Sequence, residues 1–383
     1  MALHFELAEF ADRRRRLARA MAEEGLDALL AFKPETHYWL SGYDTFGFCF
    51  FQCLLVTADG RQVLLTRSAD LRQAALTSTI DDRRSWIDRE GARPALDLVD
   101  LLVEFGLAKG RLGVEWNTHG LTAAAGMALA EALPAATTTV DASLLVSRLR
   151  LVKSAAELRY VRRAANLADD AFDAALAVIE PGGDEAAVHA EMHRVIHAGD
   201  GDDPANPFIV NSGDHALLCR YTTGRRRFDA RDQLTLEWAG TFRHYHAAQM
   251  RTVPIGGASD RHLELFDAAT EALVACEARL RPGHTVGDVF AAHQTVLDGR
   301  GLGEHRLNAC GYALGAVYAP SWMDWPMMYA GNPVELAADM VFFLHMILMD
   351  SATGTAMCLG RTSRVTDGSP EVLSRNPMAL VSR

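Results

Sequence analysis

Between residues 205 and 366 the chain is a succession of apolar runs of strand length, several with polar or ionisable residues set inside them: NPFIVNSGDHALLCRY, LTLEWAGTFRHYHAAQMRTVPIGG, NACGYALGAVYAPSWMDWPMMYAGNP, MVFFLHMILMD and AMCLGRTSRVTDG. A charged or imidazole group inside an apolar strand is costly unless it is paired. Glu237, between Leu236 and Trp238, and His345, between Leu344 and Met346, are therefore the foremost candidates for a working site. For either residue alone, a satisfied buried hydrogen-bonder is the plainer alternative; several such residues in one stretch favour a site.

The pattern around these runs predicts two domains, 1–147 and 148–383, in 383 residues. In the first, an amphipathic helix over 8–24 leads into a strand at 26–32. Two apolar runs flank Asp59-Gly60 as a hairpin, and a helix over 94–106, a strand over 111–116 and a helix over 121–132 follow. In the second, Ser154 and Glu157 have capping-box spacing ahead of a long helix. Helices near 154–179, 184–198, 260–280 and 285–297 alternate with strands near 207–211, 233–239, 244–255, 308–314, 340–350 and 356–366, which predicts an α+β fold.

Charge and composition narrow the function. With 38 basic and 49 acidic residues the net charge is −11, which argues against a nucleic-acid binder. The arginine clusters Arg13–Arg16 and Arg225–Arg227 read as solvated faces. The six cysteines sit in apolar contexts without a CxxC pair and read as small buried hydrophobes of a reduced, cytoplasmic protein. Neither a signal peptide nor a membrane span is expected.

There is no Walker A sequence, no GxSxG elbow and no HExxH. GRGLGE at 299–304 follows a helix rather than a strand and reads as a helix terminus and turn. His189, His193 and His197 recur at i, i+4 and i+8, a spacing at which two imidazoles can share a metal. The rest of that helix is ordinary, so the row reads as structural.

The segments LRLVKSAAELRYVRRAANLADDAF, VNSG at 210–213, YHAAQMRTVPIG at 245–256, GYALG at 311–315 and VTDG at 365–368 stand in one order along the chain. In this the chain resembles the creatinase, aminopeptidase P and prolidase superfamily. The resemblance implies a pita-bread catalytic domain preceded by a creatinase-like N-terminal α/β domain. Peptidases of that superfamily hold two metal ions through two Asp, one His and two Glu. The matching positions here are Glu237, Ala248, Tyr312, His345 and Gly360, so one carboxylate and one imidazole are left. Two such groups do not make a dinuclear site of hard oxygen ligands. The resemblance thus points to the metal-independent branch, with creatinase and ectoine hydrolase, whose members hydrolyse C–N bonds of small guanidino or cyclic amidine carboxylates. No cofactor is expected. The alternatives are an Xaa-Pro metallopeptidase and a non-catalytic relative that only binds ligand.

Within that reading Glu237 is the base or nucleophile and His345 a proton shuttle near neutral pH. His246 and Asp324 hydrogen-bond substrate nitrogens, Arg220 takes the substrate carboxylate, and Tyr312 and Trp325 supply a polar tip and an apolar wall. His215 occupies a position that the family often fills with Asn, and Arg251 lies inside the family's RT element. The expected partner is a small-molecule substrate, with neither nucleic acid nor membrane. The resemblance also implies a homodimer in which GYDTFGFCFFQ, with Tyr43, Phe46 and Phe48, walls the partner's pocket; a buried hairpin core is the alternative.

Overall fold

The computed structural model describes residues 3–383. It divides into two compact units, Met1–Arg150 and Leu151–Arg383.

The first unit is built on a six-stranded mixed sheet in the order Asp82–Trp86, Gln62–Arg67, Cys53–Thr57, Ala28–Ala31, Arg111–Val114, Thr138–Asp141. Alternation along the central strand sends Leu29 and Ala31 into one apolar cluster with Leu17, Met21, Leu54 and Leu64. Ala28 and Leu30 enter a second cluster with Leu55, Val63, Leu98 and Leu112. Both faces are covered, so the strands read as continuous apolar runs. The Asp59-Gly60 hairpin forms as expected, with Gly60 at φ 87°. Two strands escape the sequence pattern, Asp82–Trp86 and Thr138–Asp141. They are the sheet's edges, largely unburied along their length, and the backbone ladder holds them without an apolar face.

Two expectations fail in this unit. Arg13 is buried, not solvated: its Nη1 donates to the Trp39 carbonyl at 3.0 Å, and its guanidinium lies 4.1 Å from the Phe5 ring centroid. Cys49 is exposed rather than packed.

The second unit opens with the expected capping box. Ser154 Oγ accepts the Glu157 N–H at 3.2 Å, and the Glu157 carboxylate accepts the Ser154 N–H at 2.8 Å. The helix it starts, Ala155–Val178, lies on a sheet ordered Asp324–Met327, Gly311–Ala313, Val341–Asp350, Thr355–Arg364, Tyr245–Ile255, Asp232–Phe242, Ile209–Ser212. Helix and sheet meet closely at Gly240, where a Cβ would fall 2.0 Å from the Ala164 carbonyl oxygen. Beside it the Trp238 indole donates to the Ala168 carbonyl at 2.8 Å. Helices Asp260–Arg279 and Val286–Gly299 share a core with Phe342, Leu344, Met346 and Leu348, the alternate residues of one strand. GRGLGE is indeed the end of a helix and its turn, with Gly301 at φ 72°.

Since one face of the sheet packs on helices, the other carries the remaining side chains. Register links Glu237 to Met250, Met250 to Gly360, Gly360 to His345, and Tyr312 to Phe343. Glu237 and His345 thus lie in one row across the sheet, and Tyr312 stands on the neighbouring strand opposite Phe343, two residues along from His345. Arg226, expected to be solvated, is half-buried on this unit, where Nη1 donates to Asp232 at 2.6 Å and to Ser212 Oγ at 2.8 Å. No described helix is long and apolar enough to cross a membrane.

Candidate active site

A cavity of about 420 Å³ opens over this row, with Glu237, Tyr312, Trp322, Phe208, His189 and Arg220 in its wall. Glu237 stands in the middle of an eleven-residue strand and is 6% exposed. Burial penalises its anionic form and pushes its pKa up to about 7. Arg220 and a hydrogen bond from Tyr312 pull the other way. The Arg220 guanidinium is 4.0 Å from Glu237 Oε2 and itself 71% exposed, so it spans from the carboxylate to the mouth of the cavity.

Tyr312 is oriented from behind. The Trp322 indole donates to Tyr312 Oη at 2.8 Å, and Tyr312 in turn donates to Glu237. Burial and the neighbouring carboxylate raise the phenol's pKa well above its ordinary value, which keeps the proton on Tyr312 and makes it a donor. Trp322 is held by its backbone N–H, donated to Asn206 Oδ1 at 3.0 Å. Sequence reasoning passed over Trp322 in favour of Trp325 three residues on. The available signal was that a buried indole N–H needs an acceptor, and Tyr312 provides it.

The other expected residues are placed differently. His345 lies behind Tyr312, ring centroids 5.7 Å apart, and not in the cavity wall. Burial lowers its pKa to about 3, with His293 and Arg220 adding to the effect. Burial thus favours the neutral form of this ring. His246 is likewise buried and held at about 3, and its Nε2 accepts the Ala205 N–H at 3.0 Å, which fixes the loop leading to Phe208. It is not among the residues that line this cavity. Asp324 and Trp325 lie on the short strand next to Met323, outside the lining; Asp324 Oδ1 accepts the Trp325 N–H at 2.9 Å, and Trp325 packs on the helical core. His215 packs on Tyr221, a wall residue, at 4.7 Å. Arg251 is buried on the helix side, with Nη1 donating to the Gly360 carbonyl at 2.6 Å. Phe46 and Phe48 belong to the first unit, exposed and half-buried respectively.

The five positions where the superfamily's peptidases carry metal ligands do not accommodate that metal pair here. Ala248 offers no donor and is fully buried. At Gly360 a Cβ would stand 2.8 Å from the Phe343 ring and from the Leu344 carbonyl oxygen, so the phenyl ring fills the space of the missing side chain. Tyr312 keeps its proton for Glu237. What remains is one carboxyl, one neutral imidazole and an aromatic wall.

Residues 159–367 match the model of metallopeptidase family M24, and residues 13–152 match that of the creatinase/prolidase N-terminal domain. Among curated relatives, the ectoine hydrolase of Halomonas elongata is 28% identical over 343 residues, 85% of this chain and 86% of the relative. Among solved structures, dipeptidase PepE from Mycobacterium ulcerans is 26% identical with TM-score 0.86, covering 99% of both chains. The prolidase from Thermococcus sibiricus superposes with TM-score 0.87 at 16% identity, covering 98% of this chain and 99% of that one.

Proposed function

Because the chain belongs to metallopeptidase family M24, with a creatinase/prolidase N-terminal domain, yet lacks that family's ligand set, we propose that it hydrolyses a C–N bond of a small amidine or guanidino carboxylate without the family's paired metals. Ectoine, named by a relative that matches most of the chain, is the first substrate to try. The observation that carries the reading is the cavity wall itself: a buried carboxyl beside a guanidinium, on an aromatic surface. Arg220 suits a carboxylate, which a guanidinium fork binds bidentately. Glu237, Tyr312, Trp322 and Phe208 suit a planar cation, through charge and ring faces.

The chemistry follows from Glu237. Burial holds its pKa at about 7. An amidinium bound next to it favours the anion, so substrate itself generates the base. As a base, Glu237 takes a proton from water while the water oxygen bonds to the amidine carbon, and the C–N bond breaks as Glu237 passes that proton to the departing nitrogen. As a nucleophile, it bonds to the carbon itself, the departing nitrogen takes its proton from solvent, and a water then cleaves the covalent intermediate and frees the carboxylate. Tyr312, locked as a donor by Trp322, holds the reacting carboxylate oxygen in place.

Proton NMR of the protein with ectoine in excess EDTA tests the proposal, with ring opening expected. No ring opening, together with cleavage of an Xaa-Pro dipeptide on adding manganese, would replace it with the peptidase reading, which the dipeptidase and prolidase neighbours favour at the level of fold. Binding of ectoine without turnover under either condition would leave a ligand-binding relative. In this reading the chain acts as a homodimer, with Phe46 and Phe48 of one copy closing the pocket of the other.

Two further results are expected. kcat/KM, which reports the free enzyme, rises with pH through about 7 as Glu237 ionises. The corresponding limb in kcat falls at lower pH, since the bound cation stabilises the carboxylate. A pH profile with no limb between 5 and 8 would remove Glu237 as the ionising base. Arg220→Ala raises KM about 10–100-fold, in line with the loss of one charge-assisted contact of about 1.5–3 kcal/mol, with a smaller effect on kcat; initial-rate kinetics over a range of substrate concentration separate the two.

A further inference from the structure

The helix Glu185–Ala198 carries His189, His193 and His197 on one face, and the loop that follows it returns Asp203 to the same place. His197 Nε2 and Asp203 Oδ1 are 3.1 Å apart. One donor atom each from His193, His197 and Asp203 lie within 4.8 Å of one another, the one such group of three among the described residues. Zinc binds imidazole nitrogen and carboxylate oxygen at about 2.0–2.2 Å, which puts two donors on one ion roughly 3.4 Å apart. Rotation of the exposed His197 and Asp203 side chains closes the remaining distance, while His193 is held in place with its ring stacked on Phe208, 4.3 Å between centroids and 22° between planes.

We propose that His193, His197 and Asp203 form a three-donor site for a borderline divalent ion such as zinc, on the outside of the cavity wall and separate from the sheet positions of the family's metal pair. Two imidazoles and one carboxylate are the donor set of open zinc sites, leaving a fourth position to water. Magnesium and calcium, which require oxygen ligands, are poorly served. The site adjoins the cavity through two side chains. Phe208 carries the His193 ring on one side and lines the cavity on the other, and His189, also in the wall, has its ring 4.5 Å from that of His193. An ion that fixes His193 therefore braces Phe208. The site does not depend on the chemistry of the cavity.

Isothermal titration of chelator-stripped protein with zinc chloride tests it. One ion per chain is expected, with affinity reduced tenfold or more in His197→Ala and in Asp203→Ala, both at exposed positions where the fold is spared. Glu237→Gln should bind zinc as wild type does. Thermal melting provides a second readout, the midpoint rising with zinc in wild type and in Glu237→Gln and rising less, at the same zinc concentration, in the two site variants. Absence of binding up to millimolar zinc, unchanged affinity in both site variants, or loss of binding in Glu237→Gln would each overturn the proposal, the last by moving the ion to the sheet.

Discussion

Glu237→Gln should lower turnover of the amidine substrate by about 10²–10⁴-fold, the span associated with loss of a positioned base, while making the protein more stable above neutral pH. The two halves of this result have one cause. Burial raises the folded pKa of Glu237 from 4.5 to about 7, a difference worth roughly 3 kcal/mol. A carboxyl whose folded pKa lies above its unfolded one favours the native state below the unfolded value. That advantage is lost as pH rises through the folded value. Wild type should therefore lose stability relative to Glu237→Gln between about pH 4.5 and 7, and the gap should persist at pH 8. Urea melts of both proteins at pH 5 and pH 8, together with initial rates, measure this. A residue kept only to fill a buried hydrogen bond would behave otherwise, with stability falling on substitution and activity following it. Gain of one with loss of the other marks a group held in an unfavourable state for chemistry.

Gly360→Glu is expected to destabilise the second unit by at least about 3 kcal/mol, the upper range for overpacking, and to create no metal site. The added Cβ meets the Phe343 ring and the Leu344 carbonyl oxygen, each at 2.8 Å. The ring can move and the backbone oxygen cannot. Phe343→Ala alone should cost about 3–5 kcal/mol through the cavity it leaves. The double variant should be less destabilised than the sum of the two, because each change removes the obstacle to the other. Equilibrium denaturation of the four proteins gives that coupling, and zinc or manganese titration of Gly360→Glu gives the second readout. A single variant that folded at wild-type stability and bound a metal pair would show that the family's site is latent here and restore the peptidase reading.

Much of the fold was legible along the chain because its elements are long and strongly patterned. The Ser154 and Glu157 capping box and the Asp59-Gly60 hairpin are local signals that the tertiary structure leaves intact. The edge strands Asp82–Trp86 and Thr138–Asp141 were not legible, since their stability comes from backbone pairing to neighbours rather than from an apolar face. In the site, Glu237, Arg220 and Tyr312 were recognisable by chemical type and family position. Trp322 and Phe208 were not, for an apolar residue in an apolar string has nothing to set it apart until its neighbours are known.

By itself, the sequence determined the order of elements and the presence of one carboxylate in an apolar strand, since these depend on residue identity and local periodicity, and the family resemblance added that three of the five ligand positions hold no ligand. Tertiary structure decided which of the ionisable groups share a cavity and what charge each carries. Strand register brings Glu237 and Tyr312 together from positions 75 residues apart in sequence. Desolvation, a property of the whole packed surround, keeps His345 and His246 neutral while it raises Glu237 to the edge of ionisation. The same holds outside the cavity: a helix alone lines up His193 and His197, and only the returning loop adds Asp203, because three converging donors require a chain that has folded back on itself.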